Sequence, residues 1–101
     1  MVYRQGDVLL VEVKGRVKGK VVAKGRIVLA EGEATGHAHV VEADPEDAVL
    51  KEFDGKRFLE VYREASVTHQ EHATITLKPK TYEVRRQREW TDGDEPRQVL
   101  D

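Results

Sequence analysis

The chain has 101 residues, with 17 Lys and Arg against 19 Asp and Glu. That is one domain's length, and a net charge of −2 that does not suit a general polyanion binder. It contains no cysteine, which excludes disulfides, thiolate metal sites and cysteine nucleophiles and leaves histidine and carboxylate as the strong metal ligands. Asparagine is also absent while Lys, Arg and Glu are abundant, a composition that fits a thermophilic protein.

From the N-terminus the dominant period is two. Tyr3 to Val13 reads as a first strand with Leu9, Val11 and Val13 on one side, followed by a basic turn with Gly15 and Gly19. In that turn Lys14, Arg16, Lys18, Lys20 and Lys24 read as a solvated face. Arg26 to Ala30 and His37 to Glu42 read as strands around the Gly-containing loop from Glu31 to Gly36, and Asp44-Pro45-Glu46-Asp47 as a turn. Ala48 to Phe53 and Arg57 to Tyr62 flank Asp54-Gly55, the dipeptide that supplies the positive φ angles of a type I′ hairpin. Ala73 to Leu77 is β-branched, Lys78-Pro79-Lys80 turns the chain, and Thr81 to Trp90 alternates again.

The expected fold is therefore all-β: a small single-domain barrel or barrel-like sandwich of about seven or eight short antiparallel strands, with no helix of more than a turn or two. It is expected to span residues 1–90, with 91–101 a flexible acidic tail. No apolar run reaches about 18 residues and no basic-then-apolar leader opens the chain, so no membrane contact and a cytoplasmic location are expected. Exposed sheet edges leave room for a homo-oligomer.

The chemistry concentrates in the four histidines, paired as His37/His39 and His69/His72. Side chains two apart on a strand project to one face, so His37 and His39 can reach a common point, and His69 and His72 bring two more imidazoles with Glu71 between them. A divalent transition metal (zinc, nickel, iron or manganese) held by His37, His39, His69 and His72 explains the pattern economically. Glu42 or Glu71 would complete the shell or act as base, and Glu71 and His72 are the candidate catalytic residues of a metal-dependent hydrolase.

Three alternatives stand beside it. The histidines can be polar loop-end residues hydrogen-bonded to threonines or carboxylates, with no ligand. Two of them can serve as general base and acid in a metal-free ribonuclease, with Arg86 or Arg88 stabilising phosphorane charge. Lastly, Arg86, Arg88 and Trp90, on one face of the last strand, can stack bases and hold phosphates in an RNA-binding or interaction module. Against that last reading, the rings can simply pack the sheet while the arginines pair with glutamates. The substrate, a small molecule or an RNA, is not specified by these residues.

The HAH element followed by Glu42, and the LKPKTYEV segment, resemble the metal-strand and proline-turn elements of cupin barrels, which implies a β-barrel holding a metal through HxH and a glutamate. Glu42 stands closer to the HxH than the cupin glutamate does, and no histidine follows the proline turn. Over most of its length the chain also resembles a family of small uncharacterised microbial β-proteins. They share the blocks YRQGDVLL, TGHAH, HQEH and YEVRRQREW, and the resemblance implies no activity.

Overall fold

The alternation of buried and exposed positions resolves into ten strands among the residues described by the computed structural model, which are 1–32 and 36–86. They are β1 (Val2–Gln5), β2 (Val8–Val13), β3 (Lys20–Lys24), β4 (Ile27–Glu31), β5 (Ala38–Glu42), β6 (Ala48–Phe53), β7 (Lys56–Val61), β8 (Ala65–Thr68), β9 (Ile75–Leu77) and β10 (Thr81–Arg86). All paired strands are antiparallel, in one sheet of order β1-β2-β10-β7-β6-β3 and a second of order β4-β5-β8-β9. The expected all-β class holds, and the form is a barrel-like sandwich whose sheets do not close on themselves.

Three strands exceed the expected set. Tyr3 to Val13 is a hairpin, because Gly6 at φ 58° reverses the chain between Gln5 and Val8, which pair with each other. β3 was hidden in the basic turn: its side chains are mostly exposed, and its lysines, Lys20 and Lys24, enclose Val21 and Ala23, which pair with β6 on either side of a register shift. β8, only four residues long, lies between the strands expected at Arg57 to Tyr62 and Ala73 to Leu77. The Asp54-Gly55 hairpin is as expected, with both residues at positive φ, 54° and 75°. The stretch 87–90 of the last predicted strand and the tail 91–101 lie outside the described residues.

Between the sheets the core gathers Leu10, Tyr82, Val84 and Leu59 from the first sheet against Leu29, Val41, Val67 and Leu77 from the second. Gly25 makes the crossing from β3 to β4 possible. It adopts φ 74°, and a Cβ there would stand 2.9 Å from Pro45 N and 3.1 Å from Ala43 O, too close for any side chain. Side chains also link the layers, with Arg57 Nη2 donating to Leu29 O at 2.9 Å and Gln5 Nε2 donating to Val67 O at 2.9 Å. Among the described residues no helix is long and apolar enough to cross a membrane.

Candidate functional site

The core-facing positions of β1, β5, β8 and β10 converge at one end of the sandwich. On β5, His39 and Val41 face inward while Val40 and Glu42 face outward, as strict alternation requires. His39 is 2% exposed, so it lies between the sheets, and His37 continues the same face at the rim. β8 runs antiparallel to β5, and the chain leaving it carries His69 and His72 back over the same end.

All four imidazoles meet there. His69 is the hub: its ring centroid lies 5.5 Å from that of His37, 4.3 Å from His39 and 4.7 Å from His72. The rings of His39 and His72 are 6.1 Å apart and nearly parallel, at 17°. The Nε2 atoms of His39, His69 and His72 are buried, and that of His72 makes no hydrogen bond among the described residues.

Two residues that sequence reasoning missed orient this cluster. Gln5, at the end of β1, donates from Nε2 to Val67 O and Ala73 O, each at 2.9 Å. Its Oε1 is thereby fixed as acceptor toward His39 Nδ1 at 2.8 Å, so Nδ1–H is the donor there. His39 Nε2 then faces Asp7 Oδ1 at 3.4 Å. Asp7 is 1% exposed, and its Oδ2 accepts from Arg86 Nη2 at 2.7 Å and Nε at 3.3 Å, a charge-assisted contact across 79 residues of chain. The available signal was the Gln5-Gly6-Asp7 hairpin, where two polar residues flank a turn between apolar strands and then point inward.

The other candidates are placed as follows. Glu71 Oε2 lies 3.3 Å from His37 Nδ1, on an exposed side chain. Glu71 N–H also donates to His69 Nδ1 at 3.0 Å. Glu42 is not part of the site: it lies on the outer face of β5, 3.7 Å from Arg26, because an even spacing from His39 is needed to share its face and Glu42 stands at an odd one. Arg86 points inward with Tyr82 and Val84, its guanidinium on Asp7, while Arg85 pairs with Glu83 at 2.8 Å on the opposite face. Arg88 and Trp90 lie outside the described residues.

As the rings stand, no group of three or more His, Asp or Glu among the described residues is set to hold a metal ion. The contacts of Glu71 account for part of this, because they engage Nδ1 of both His37 and His69. With metal–nitrogen bonds of about 2.0–2.1 Å, centroids of adjacent imidazoles stand roughly 4.5–5.2 Å apart and those of opposite ones roughly 6.4 Å. Of the ring spacings around His69, that to His72, 4.7 Å, is one that two adjacent ligands of a single ion would show, while 4.3 Å and 5.5 Å fall outside that range.

The chain belongs to the family described as Domain of unknown function (DUF8820), whose profile matches residues 4–87 and so covers every site residue named above from Gln5 to Arg86. No curated protein and no solved structure matches it, so the cupin likeness has no support there, and the outward Glu42 removes the carboxylate that likeness required.

Proposed function

We propose that this DUF8820 domain binds a divalent transition-metal ion in the histidine cluster at the end of the sandwich, with Asp7 as a carboxylate neighbour of the ion. One observation carries the reading. The four imidazoles, every one this chain possesses, gather around His69, and a buried aspartate stands 3.4 Å from His39 Nε2, at an end of the core where apolar side chains would fold more simply.

The Gln5–His39–Asp7 chain supports it. With Nδ1–H committed to Gln5, His39 turns its second nitrogen toward a carboxylate oxygen, and a proton or a metal cation between the two satisfies both. An outer hydrogen bond from the non-ligating nitrogen is the usual means of fixing a metal-binding imidazole. Loading requires the rings of His37 and His69 to turn from their contacts with Glu71, a movement confined to side chains at the rim. A bound ion with an open position would supply activated water, and Glu71 beside it a base, which is the basis for hydrolysis as the reaction class.

The test is the metal content of tag-free protein by elemental mass spectrometry, beside the double variant His39→Ala/His72→Ala. Near-stoichiometric metal in the native chain and none in the variant is the expected result. No metal in either, even after exposure to zinc, nickel, iron or manganese, would overturn the reading.

A second reading has one observation behind it, that the rings as they stand are not set for a metal. In it the cluster is a metal-free acid–base pair, with His39 oriented by Asp7 and Arg86 and His72 as its partner. RNA cleavage that survives chelation and falls on His72→Ala would select it.

A further inference from the structure

The end of the sandwich away from the histidines is built from different chemistry. β2 leaves the Asp7 turn and finishes at Val13, opposite Thr81, where β10 starts on its way to Arg86. There the chain after β2, the Lys78-Pro79-Lys80 turn and the end of β7 enclose a cavity of about 250 Å³, lined by Arg16, Tyr62, Pro79 and Lys80 with Glu60 in its wall. Glu60 accepts from the Val17 amide, the Tyr62 hydroxyl and Lys51, so its charge is answered within the wall and both loop and ring are held in place. Arg16 takes no part in that network and has no carboxylate partner among the described residues. Its charge stands near the Tyr62 ring: the Glu60 hydrogen bond and burial raise the Tyr62 hydroxyl above its ordinary value, and Arg16 pulls against them. Lys80 lines the same cavity while pairing with Glu12 at 3.1 Å. Beyond Arg16, the exposed Lys18 and Lys20 alternate with half-buried Val17 and Gly19, and a Cβ on Gly19 would stand 2.7 Å from Glu52 O. Glu60, Lys51 and Val17 serve the fold, but nothing in it calls for a cation at Arg16 beside an aromatic ring that is 42% exposed.

We propose that this cavity binds a nucleotide unit, its phosphate between Arg16 and Lys80 and its base against the Tyr62 ring. The unit is either a free nucleotide or part of a single strand whose next phosphates follow Lys18 and Lys20. Two cations call for a negative charge and an aromatic ring for a flat π-face, and a nucleotide carries both. At about 250 Å³ the cavity lies below the usual range for an enclosed small-molecule ligand, which fits one unit of a ligand lying mostly outside it. The overall charge of −2 does not oppose this, because exposed charges more than about 10 Å away are screened and the cations at the cavity dominate. The site stands apart from the histidines and does not depend on the metal reading.

The experiment uses the full chain in metal-free buffer, with adenosine monophosphate and a fluorescein-labelled oligoadenylate as probes, read by calorimetry and by fluorescence anisotropy at several salt concentrations. Arg16→Gln should weaken binding and reduce the slope of log affinity against log salt for the oligoadenylate by about 0.7, the value of one phosphate contact. Arg26→Gln, an equal loss of charge beside Glu42, should leave both unchanged. Tyr62→Leu should cost about tenfold in affinity, while Tyr62→Phe, which gives up the same hydroxyl but keeps the ring, should cost little. Oligoadenylate bound more tightly than the mononucleotide identifies a strand as the ligand, and oligoadenylate bound no more tightly identifies the free nucleotide. Binding of neither probe overturns the proposal. So does a loss in Arg26→Gln equal to that in Arg16→Gln, which would mean attraction by overall charge, or an equal affinity in Tyr62→Leu and Tyr62→Phe.

Discussion

Among the described residues two carboxylates are buried, each 1% exposed, and their surroundings are opposite in kind. Glu60 lies on the outer face of the first sheet, under the loop between β2 and β3. Its Oε2 accepts from Val17 N–H at 3.1 Å, and its Oε1 from the Tyr62 hydroxyl at 2.6 Å and from Lys51 Nζ at 3.0 Å. Lys51 also donates to Val17 O at 3.2 Å, so the network closes and clamps the loop to the sheet. Asp7 has one oxygen held twice by Arg86, while the other looks toward His39 among four imidazoles. The contrast separates scaffold from site. A buried charge whose acceptors are all taken by fixed donors has done its work when the chain folds, whereas Asp7 and His39 form a polar end that folding alone does not demand.

The largest effect expected from breaking the comparison lies at Glu60. Glu60→Ala should lower stability by about 3 kcal/mol in urea denaturation, because it leaves Lys51 and the Val17 amide without their partner beneath the loop. The loss should be the same with and without zinc. A zinc-dependent loss would mean that the two networks are coupled.

The converse is expected at the site. With free zinc at about a hundred times its dissociation constant, the native chain should gain about 2.7 kcal/mol. Glu60→Gln should show the same gain and His39→Ala/His72→Ala none, by thermal denaturation at matched zinc.

Gln5 sharpens the distinction further, since it makes contacts of both kinds: two bonds to backbone carbonyls that link the sheets, and one that sets the His39 tautomer. Gln5→Glu keeps an acceptor for His39 but has no protons for Val67 and Ala73, so stability should fall while zinc affinity is largely kept. Gln5→Leu should weaken zinc about 10- to 100-fold, the usual worth of an outer partner of a metal-binding histidine, read by competition with a chromophoric chelator.

How legible these two regions were follows from what each is made of. Period-two alternation announced the strands, and the HxH spacing placed His37 and His39 on one face, because both depend only on neighbours in sequence. Asp54-Gly55 was legible for the same reason, the turn being written in two residues. Asp7 and Gln5 were not, because their roles depend on partners 79 and 34 residues away, Arg86 and His39, and nothing local distinguishes a buried carboxylate from a turn residue. Arg86 was read as a phosphate-holding or glutamate-pairing side chain for the same reason. Glu42 was drawn into the site by sequence nearness to His39, and strand parity puts it on the other side. Glu60 sits in an alternating strand whose outer face would ordinarily be solvated, and only the overlying Val17 loop buries it.

The smallest expected effect concerns pH, and it again sets Glu60 apart. Burial raises the Glu60 carboxyl, but the Tyr62 hydroxyl, Lys51 and the Val17 amide outweigh it and hold the group below the ordinary value of 4.5. A carboxyl lowered in the folded state contributes stability above its unfolded value, and this is lost as pH falls through the folded one. Stability should therefore decline below about pH 4.5, and Glu60→Gln, which keeps the volume and one acceptor, should flatten that decline. Glu83, held low by the adjoining Arg85, adds less because Arg85 is half exposed and the pair is screened. Urea midpoints between pH 3 and 6 in metal-free buffer should show the flatter acid limb in Glu60→Gln. An acid limb in Glu60→Gln as steep as that of the native chain would show that the Glu60 network is not what acid dismantles.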